Sequence, residues 1–195
     1  MRELVLASGS SIRRQILDNA GVPFRIRTSG VDEDAIKAQW AGDSPADLAL
    51  ELAKAKARAV PAPAEALVLG ADQILSLDGQ LYDKAKSAAE ARDRLRTLRG
   101  KTHTLHSGLA AVRDGKVIWT HTQNSNLTVR DFSDAFLDAY LDQAGEVLTA
   151  SVGAYAFEGL GAQIFDRVEG DYYAILGLPL LPVLDLLRRE SVIAT

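Results

Sequence analysis

Leu4-Val5-Leu6-Ala7-Ser8-Gly9-Ser10-Ser11-Ile12-Arg13-Arg14 is the stretch whose reading decides the fold. Four apolar residues run into a Ser/Gly turn, and the turn runs into a helical pattern. Ile12, Ile16, Leu17 and Ala20 share one face, and Gly21 stands where a helix would stop. The reading is a buried strand, a tight turn and a helix with two guanidiniums on its first turn. Backbone N–H groups at a helix start have no intrahelical partner. Glycine lets a ligand approach the backbone closely, and arginine adds a planar cationic fork suited to phosphate oxygens. The same letters also fit an ordinary strand, a serine cap and a solvated first turn. Spacing alone leaves both readings open.

Outward from that opening, strands are expected at 3–8, 23–28, 66–71, 103–113 and 116–130, with a short one near 172–177. Helices are expected at 12–20, 45–60, 87–99, 133–143 and 180–190. Asp78-Gly79 and Asp114-Gly115 sit between apolar or alternating runs and read as hairpin turns. Helices alternate with strands early while a long hairpin fills the middle, so the class is α/β with a mixed sheet. There is no internal repeat, and no composition shift marks a boundary, so residues 1–195 read as one domain.

The 195 residues suffice for one substantial core or two small lobes. A net charge of −4 argues against nonspecific nucleic-acid binding. The absence of cysteine excludes structural disulfides, cysteine zinc sites and thiol catalysis. The first residues are too soon interrupted for a signal peptide. The longest apolar run, Ala174 to Leu184, holds two prolines and a glycine and falls short of the ~18 residues of a membrane span. The expectation is a cytoplasmic chain with neither nucleic acid nor membrane as partner.

Candidate chemistry sits in a few places. Ser44-Pro45-Ala46-Asp47 opens a helix whose Leu48, Leu52, Ala55 and Ala59 share a face. On a helical wheel Lys56 lies about 80° from Leu48, at the border of the buried stripe, and Lys54 about 120° away on the other side. Lys56 is the better candidate to enter a cleft; a lysine lying along an apolar edge is the equal alternative. Ala66 to Ala71 is an apolar run that ends in Asp72. A carboxylate at the C-terminal end of a buried strand is where α/β sheets place ligands, and it needs a metal, a lysine or a water as partner. Val31-Asp32-Glu33-Asp34 reads as a solvated turn that could help hold Mg²⁺ or Mn²⁺. Lys84 alone reads as a surface lysine. His103 and His106 would point to opposite faces of a strand, which excludes them as a metal pair. Gly153-Ala154-Tyr155 and Glu158-Gly159-Leu160-Gly161 lack the context of a dinucleotide fingerprint, and there is no P-loop.

Taken in order, Leu6 to Ser10 with Arg13-Arg14, Val31-Asp32-Glu33, Leu52 to Ala57, Gly70-Ala71-Asp72-Gln73, Gly153 through Gly159 and Gly177-Leu178-Pro179 resemble the Maf family of nucleoside-triphosphate pyrophosphatases over nearly the whole chain. The resemblance implies hydrolysis of a nucleoside triphosphate to the monophosphate and pyrophosphate. It also implies an elongated, twisted mixed sheet flanked by helices, in two lobes with a central cleft (Maf/ITPase-like), and frequent homodimers. Carried over, Ser8, Arg13 and Arg14 would grip the triphosphate, and Asp72 would be the general base. Lys56 and Lys84 would complete the phosphate site, and Glu33 with Asp72 would hold a divalent cation, Mg²⁺ or Mn²⁺. Gln73 and Glu158 look like the 7-methyl-GTP branch, whereas the dTTP/UTP branch usually has threonine and glutamine there. Ile12 replaces the tryptophan typical of the first branch, which removes an aromatic platform. Ser11 and Ala85 replace prolines common in the family. An alternative class is a non-hydrolysing nucleotide-binding regulator of cell division, against which the joint presence of Asp72, Lys56 and Lys84 argues.

Overall fold

The structure, a computed structural model, describes residues 2–42 and 44–195. Seven strands make one mixed sheet: β1 (Leu4–Ala7), β2 (Arg25–Ile26), β3 (Leu67–Leu77), β4 (Gln80–Tyr82), β5 (Thr102–Arg113), β6 (Lys116–Val129) and β7 (Phe165–Glu169). Their order is β2-β1-β3-β5-β6-β7, with β4 paired to β3. β1 is parallel to β2 and β3, whereas β3–β4 and β6–β7 are antiparallel. Both hairpin turns have positive φ at each central residue, 52° and 79° at Asp78-Gly79 and 49° and 70° at Asp114-Gly115. That is the geometry whose twist matches paired strands, and Asp-Gly is suited to it.

The chain divides into two compact units. The first comprises Met1–Gln73, Ser107–Gln123 and Tyr172–Thr195. Its helices are α1 (Ser11–Asn19), α2 (Glu33–Gln39), α3 (Pro45–Ala59), a short α7 (Tyr172–Ile175) and α8 (Leu180–Arg189). Strand side chains alternate between faces. Leu4, Leu6, Leu67, Leu69 and Ala71 cluster with Ile16 and Leu17 of α1 and with Val183 and Leu187 of α8. Val5, Ala7 and Val68 cluster with Ala57 of α3 and the following Val60. Two glycines seat α3 on the sheet. A Cβ on Gly70 would stand 2.1 Å from the Ala53 carbonyl oxygen, and one on Gly108 2.3 Å from the Ala49 carbonyl carbon. At the chain ends, the Arg2 backbone N–H donates to the Ser191 carbonyl at 2.9 Å. Glu190 accepts from the guanidiniums of Arg2 and Arg113.

The second unit comprises Ile74–His106 and Asn124–Asp171. It carries α4 (Ala88–Leu98), α5 (Asp134–Ala144), the short α6 (Val147–Ala150) and a 3₁₀ turn at Leu160–Ile164. His103 is buried beside Tyr155 and Phe165, with Nε2 2.7 Å from the Tyr155 hydroxyl and Nδ1 without a hydrogen-bond partner. Burial pushes its pKa down to about 4. On the opposite face, His106 Nδ1 donates to Asn124 Oδ1 at 2.9 Å, and Nε2 accepts from the Ser76 hydroxyl at 2.8 Å. The two histidines are thus parted across the sheet, each with its own partners.

Two expectations are corrected. Residues 172–175 are helical, not a strand. The aromatic, apolar letters mimic a strand, but the segment turns and stops at Gly177 (φ +97°). The last strand lies instead at Phe165–Glu169, half-exposed and charged, so it shows no clear apolar alternation. The acidic cluster opens a helix, with Asp32 as N-cap accepting from the Ala35 N–H at 3.0 Å. Among the described residues no helix is long and apolar enough to cross a membrane.

Replacing Gly70 with alanine forces α3 off its seat, and we expect a loss of about 3 kcal/mol in urea unfolding. The second expectation concerns acid. An unfolded histidine titrates near 6.5, whereas folded His103 titrates at about 4. As pH falls the unfolded chain binds the proton first, so stability drops between those values, by about 3 kcal/mol at most. Urea midpoints measured across that range should show the drop in wild type and a reduced slope in His103→Gln.

Candidate functional site

Parity along β3 decides which side chains meet. Asp72 lies on the same face as Gly70, beneath α3, and Gln73 points to the opposite face. Lys56 is four residues along α3 from Leu52, one turn further, and its ammonium stands 2.5 Å from Asp72 Oδ1. Both side chains are buried, at 8% and 7% exposure. Lys54 turns outward and pairs with Glu51 at 2.6 Å. Glu33, the first residue of α2, places Oε1 2.8 Å from the same Lys56 Nζ. Asp72 is not a strand end, because β3 continues to Leu77. It lies two residues past Gly70, where the pairing with β1 stops. The crevice beyond a strand's carboxyl end is the usual ligand position of α/β sheets.

Arg13 is held from three directions. Its Nε donates to the Gly177 carbonyl at 2.8 Å, and Nη1 donates to the Ala71 carbonyl at 2.9 Å and to Ser8 Oγ at 3.3 Å. Ser8 Oγ also accepts from the Ser10 N–H at 3.2 Å, while Ser10 caps α1. Nη2 has no hydrogen-bond partner among the described residues. Burial lowers the Arg13 pKa, opposed by the charges of Asp72 and Glu33; the guanidinium stays protonated because its ordinary pKa is so high. Burial also raises the Asp72 carboxyl above the usual carboxylate range, opposed by Lys56 and Arg13. Arg14, next along, is exposed. Ile12 packs against the cluster that contains Leu4 and Leu6. The Gln73 amide donates to the Ala174 carbonyl at 2.8 Å, and at 3.3 Å to both the Ile175 carbonyl and Ser107 Oγ.

The first unit therefore brings Ser8, Arg13, Glu33, Lys56 and Asp72 into one cluster. Lys84 and Glu158 belong to the second unit, both exposed. There Arg94 of α4 fastens the segments that carry them. It donates to the carbonyls of Asp83 at 2.8 Å and Val152 at 2.6 Å, and its guanidinium lies 4.5 Å from the centre of the Tyr82 ring. Sequence reasoning missed Arg94, and a lone arginine on an exposed-looking helix face offers no signal. It also missed the Gly177 carbonyl as the acceptor for Arg13, because backbone acceptors leave no trace in a motif.

Two carboxylates reach one cationic position, a donor set that suits a hard divalent ion. No group of three or more acidic or histidine side chains converges here or anywhere else among the described residues. A cation bound by Glu33 and Asp72 would take its other ligands from water and phosphate oxygens, as Mg²⁺ commonly does.

Removing Lys56 leaves a buried carboxylate without its ion pair. Lys56→Met should cost about 3 kcal/mol at neutral pH, and the double variant Lys56→Met/Asp72→Leu should recover most of it. Chemical denaturation of the four proteins in that cycle tests this.

A family model described as Maf-like protein matches residues 3–190. A nucleoside triphosphate pyrophosphatase of Maricaulis maris (strain MCS10) is 58% identical over 194 residues, 99% of each chain. One of Caulobacter vibrioides is 52% identical over 190 residues, 96% of each chain. A 7-methyl-GTP pyrophosphatase of Rhizobium meliloti (strain 1021) is 47% identical over 193 residues, 97% of each chain.

Proposed function

The chain belongs to the Maf-like protein family, and on that premise we propose that it hydrolyses a nucleoside triphosphate to the monophosphate and pyrophosphate through the cluster around Asp72. The single observation that carries this reading is the meeting of Asp72, Lys56, Glu33 and Arg13 in the first unit, with Lys56 within 2.8 Å of both acids. Relatives named as nucleoside triphosphate pyrophosphatases, similar from end to end, support it.

The substrate is a polyanion, and further charge moves onto pyrophosphate as it leaves. Arg13 presents Nη2 to the phosphate chain, fixed by its other bonds, so little reorganisation is needed as charge develops. Ser8 and the N–H groups opening α1 add neutral donors. Asp72, held in place by Lys56, is the base that takes a proton from water. Water then bonds to the α-phosphorus, its proton goes to Asp72, the bridging P–O bond breaks, and the electron pair leaves on pyrophosphate. Mg²⁺ or Mn²⁺ held by Glu33 and Asp72 would supply charge neutralisation and water activation. Arg14 and Lys84 are the further cations of the grip in this reading.

Base choice is assigned to Glu158 and to Ile12, which lies beside the cluster. A glutamate accepts from the N1–H and amino group of guanine and favours a cationic methylated base. The substrate proposed is 7-methyl-GTP or a similar modified nucleotide. A relative named as a 7-methyl-GTP pyrophosphatase supports that choice.

Pyrophosphate release from a panel of triphosphates with Mg²⁺ or Mn²⁺ is the direct test. Asp72→Asn should lower turnover by a factor of roughly 10² to 10⁴. Normal nucleotide binding by wild type without any turnover would favour a binding regulator instead. In the same assay Glu158→Gln should weaken guanine-type substrates more than uridine or thymidine ones, and an equal loss across bases removes Glu158 from specificity.

A further inference from the structure

Gln73 is adjacent to Asp72 yet points to the other face of the sheet, and its amide nitrogen is spent wholly on the protein. It donates to Ala174 and Ile175 carbonyls and to Ser107, which itself donates to the Ala174 carbonyl at 3.1 Å. The Ala174 carbonyl also accepts from the Gly177 N–H at 2.9 Å, and Leu178 N–H reaches the Tyr173 carbonyl at 3.0 Å. Those two backbone bonds, with Gly177 at φ +97°, close α7 in a Schellman motif. The next acceptor along is the Gly177 carbonyl, which takes the Arg13 Nε–H. The pieces are packed together: a Cβ on Gly177 would lie 3.5 Å from Arg13 Nε and Nη2 and 3.7 Å from Gln73 Oε1.

We infer that Gln73 is a positioning residue for the phosphate grip: it pins the Ala174 carbonyl, and thereby the Gly177 carbonyl that aims the Arg13 fork. The inference rests on the reading of Arg13 as a phosphate ligand. Gln73 then influences every substrate alike, through the triphosphate and not through the base. The two residues before it serve the same end, since Asp72 carries the carboxylate and Ala71 lends its carbonyl to Arg13 Nη1. A side chain that reads a base must offer a free edge to it. Here the donor edge of Gln73 has three protein acceptors, and its oxygen faces the Gly177 turn.

The test uses the intact protein and two ligands, inorganic tripolyphosphate, which has no base, and a set of nucleoside triphosphates. Gln73→Leu should weaken tripolyphosphate binding in calorimetry by about tenfold and raise KM by a similar factor for every base, because a small misplacement of a positioning group costs that much or more. Ser107→Ala, a near-isosteric change, should do the same more weakly and covers the case in which Gln73→Leu does not fold. In an Arg13→Lys background, which lacks the Nε–H, Gln73→Leu should have no further effect on tripolyphosphate binding. Unchanged tripolyphosphate binding in both variants, a loss confined to some bases, or full additivity with Arg13→Lys each overturns the inference. A wild type that binds tripolyphosphate but turns nothing over removes the hydrolase reading and leaves the binding arm to decide this one. A wild type that does not bind tripolyphosphate removes both.

Discussion

The seat of α3 on the sheet is the constraint from which the site follows. A helix normally rests on a layer of side chains. Here Gly70 and Gly108 remove that layer, and helix backbone lies against strand backbone. The approach brings Lys56 low enough for its ammonium to reach Asp72 on the strand beneath. A larger residue at either position would lift the helix and part the charges. One of the two, Gly70, also stands two residues before Asp72, so a single segment supplies the notch and the acid.

A buried ion pair is weak evidence for stability, because desolvation offsets the attraction. Its worth here lies in fixing one arrangement. The Lys56 ammonium is shared between Asp72 and Glu33, which keeps two acids close without mutual repulsion. Arg13 stands beside them, its orientation fixed by backbone carbonyls from two distant segments. Charge is thus concentrated and immobilised, the arrangement that the proposed phosphate chemistry would require.

Much of this was legible in the letters. The opening strand, turn and helix, the Asp-Gly hairpins and the placement of Lys56 inward and Lys54 outward all follow from period and turn chemistry. What was not legible has physical causes. The helix α2 buries no residue fully, so no apolar periodicity announced it, although Asp32 with Glu33 and Asp34 is a fair helix start. Strand β7 is half-exposed and charged. Tyr172 to Ile175 has strand-like letters but lies where Gln73 and Ser107 donate to its carbonyls. Asp72 was read as a strand end because the apolar run stops there, whereas the strand goes on with mixed residues. The motif named Ser8, Arg13, Glu33, Lys56 and Asp72, but the acceptors that aim Arg13 are backbone atoms and belong to no motif.

The first unit is assembled from three separated stretches of chain, and its final stretch starts only at Tyr172. Arg13 and the carbonyl that receives its Nε–H are 164 positions apart, while Val183 and Leu187 complete the core around Leu4 and Leu6. During synthesis the opening strand leaves the ribosome first yet waits for almost the whole polypeptide before α8 completes the cover of its apolar face. Contacts of such long range carry the largest loop-closure cost and form slowly. Nascent or C-terminally shortened chains therefore lack one of the three acceptors that hold the guanidinium, and the set is complete only late in synthesis.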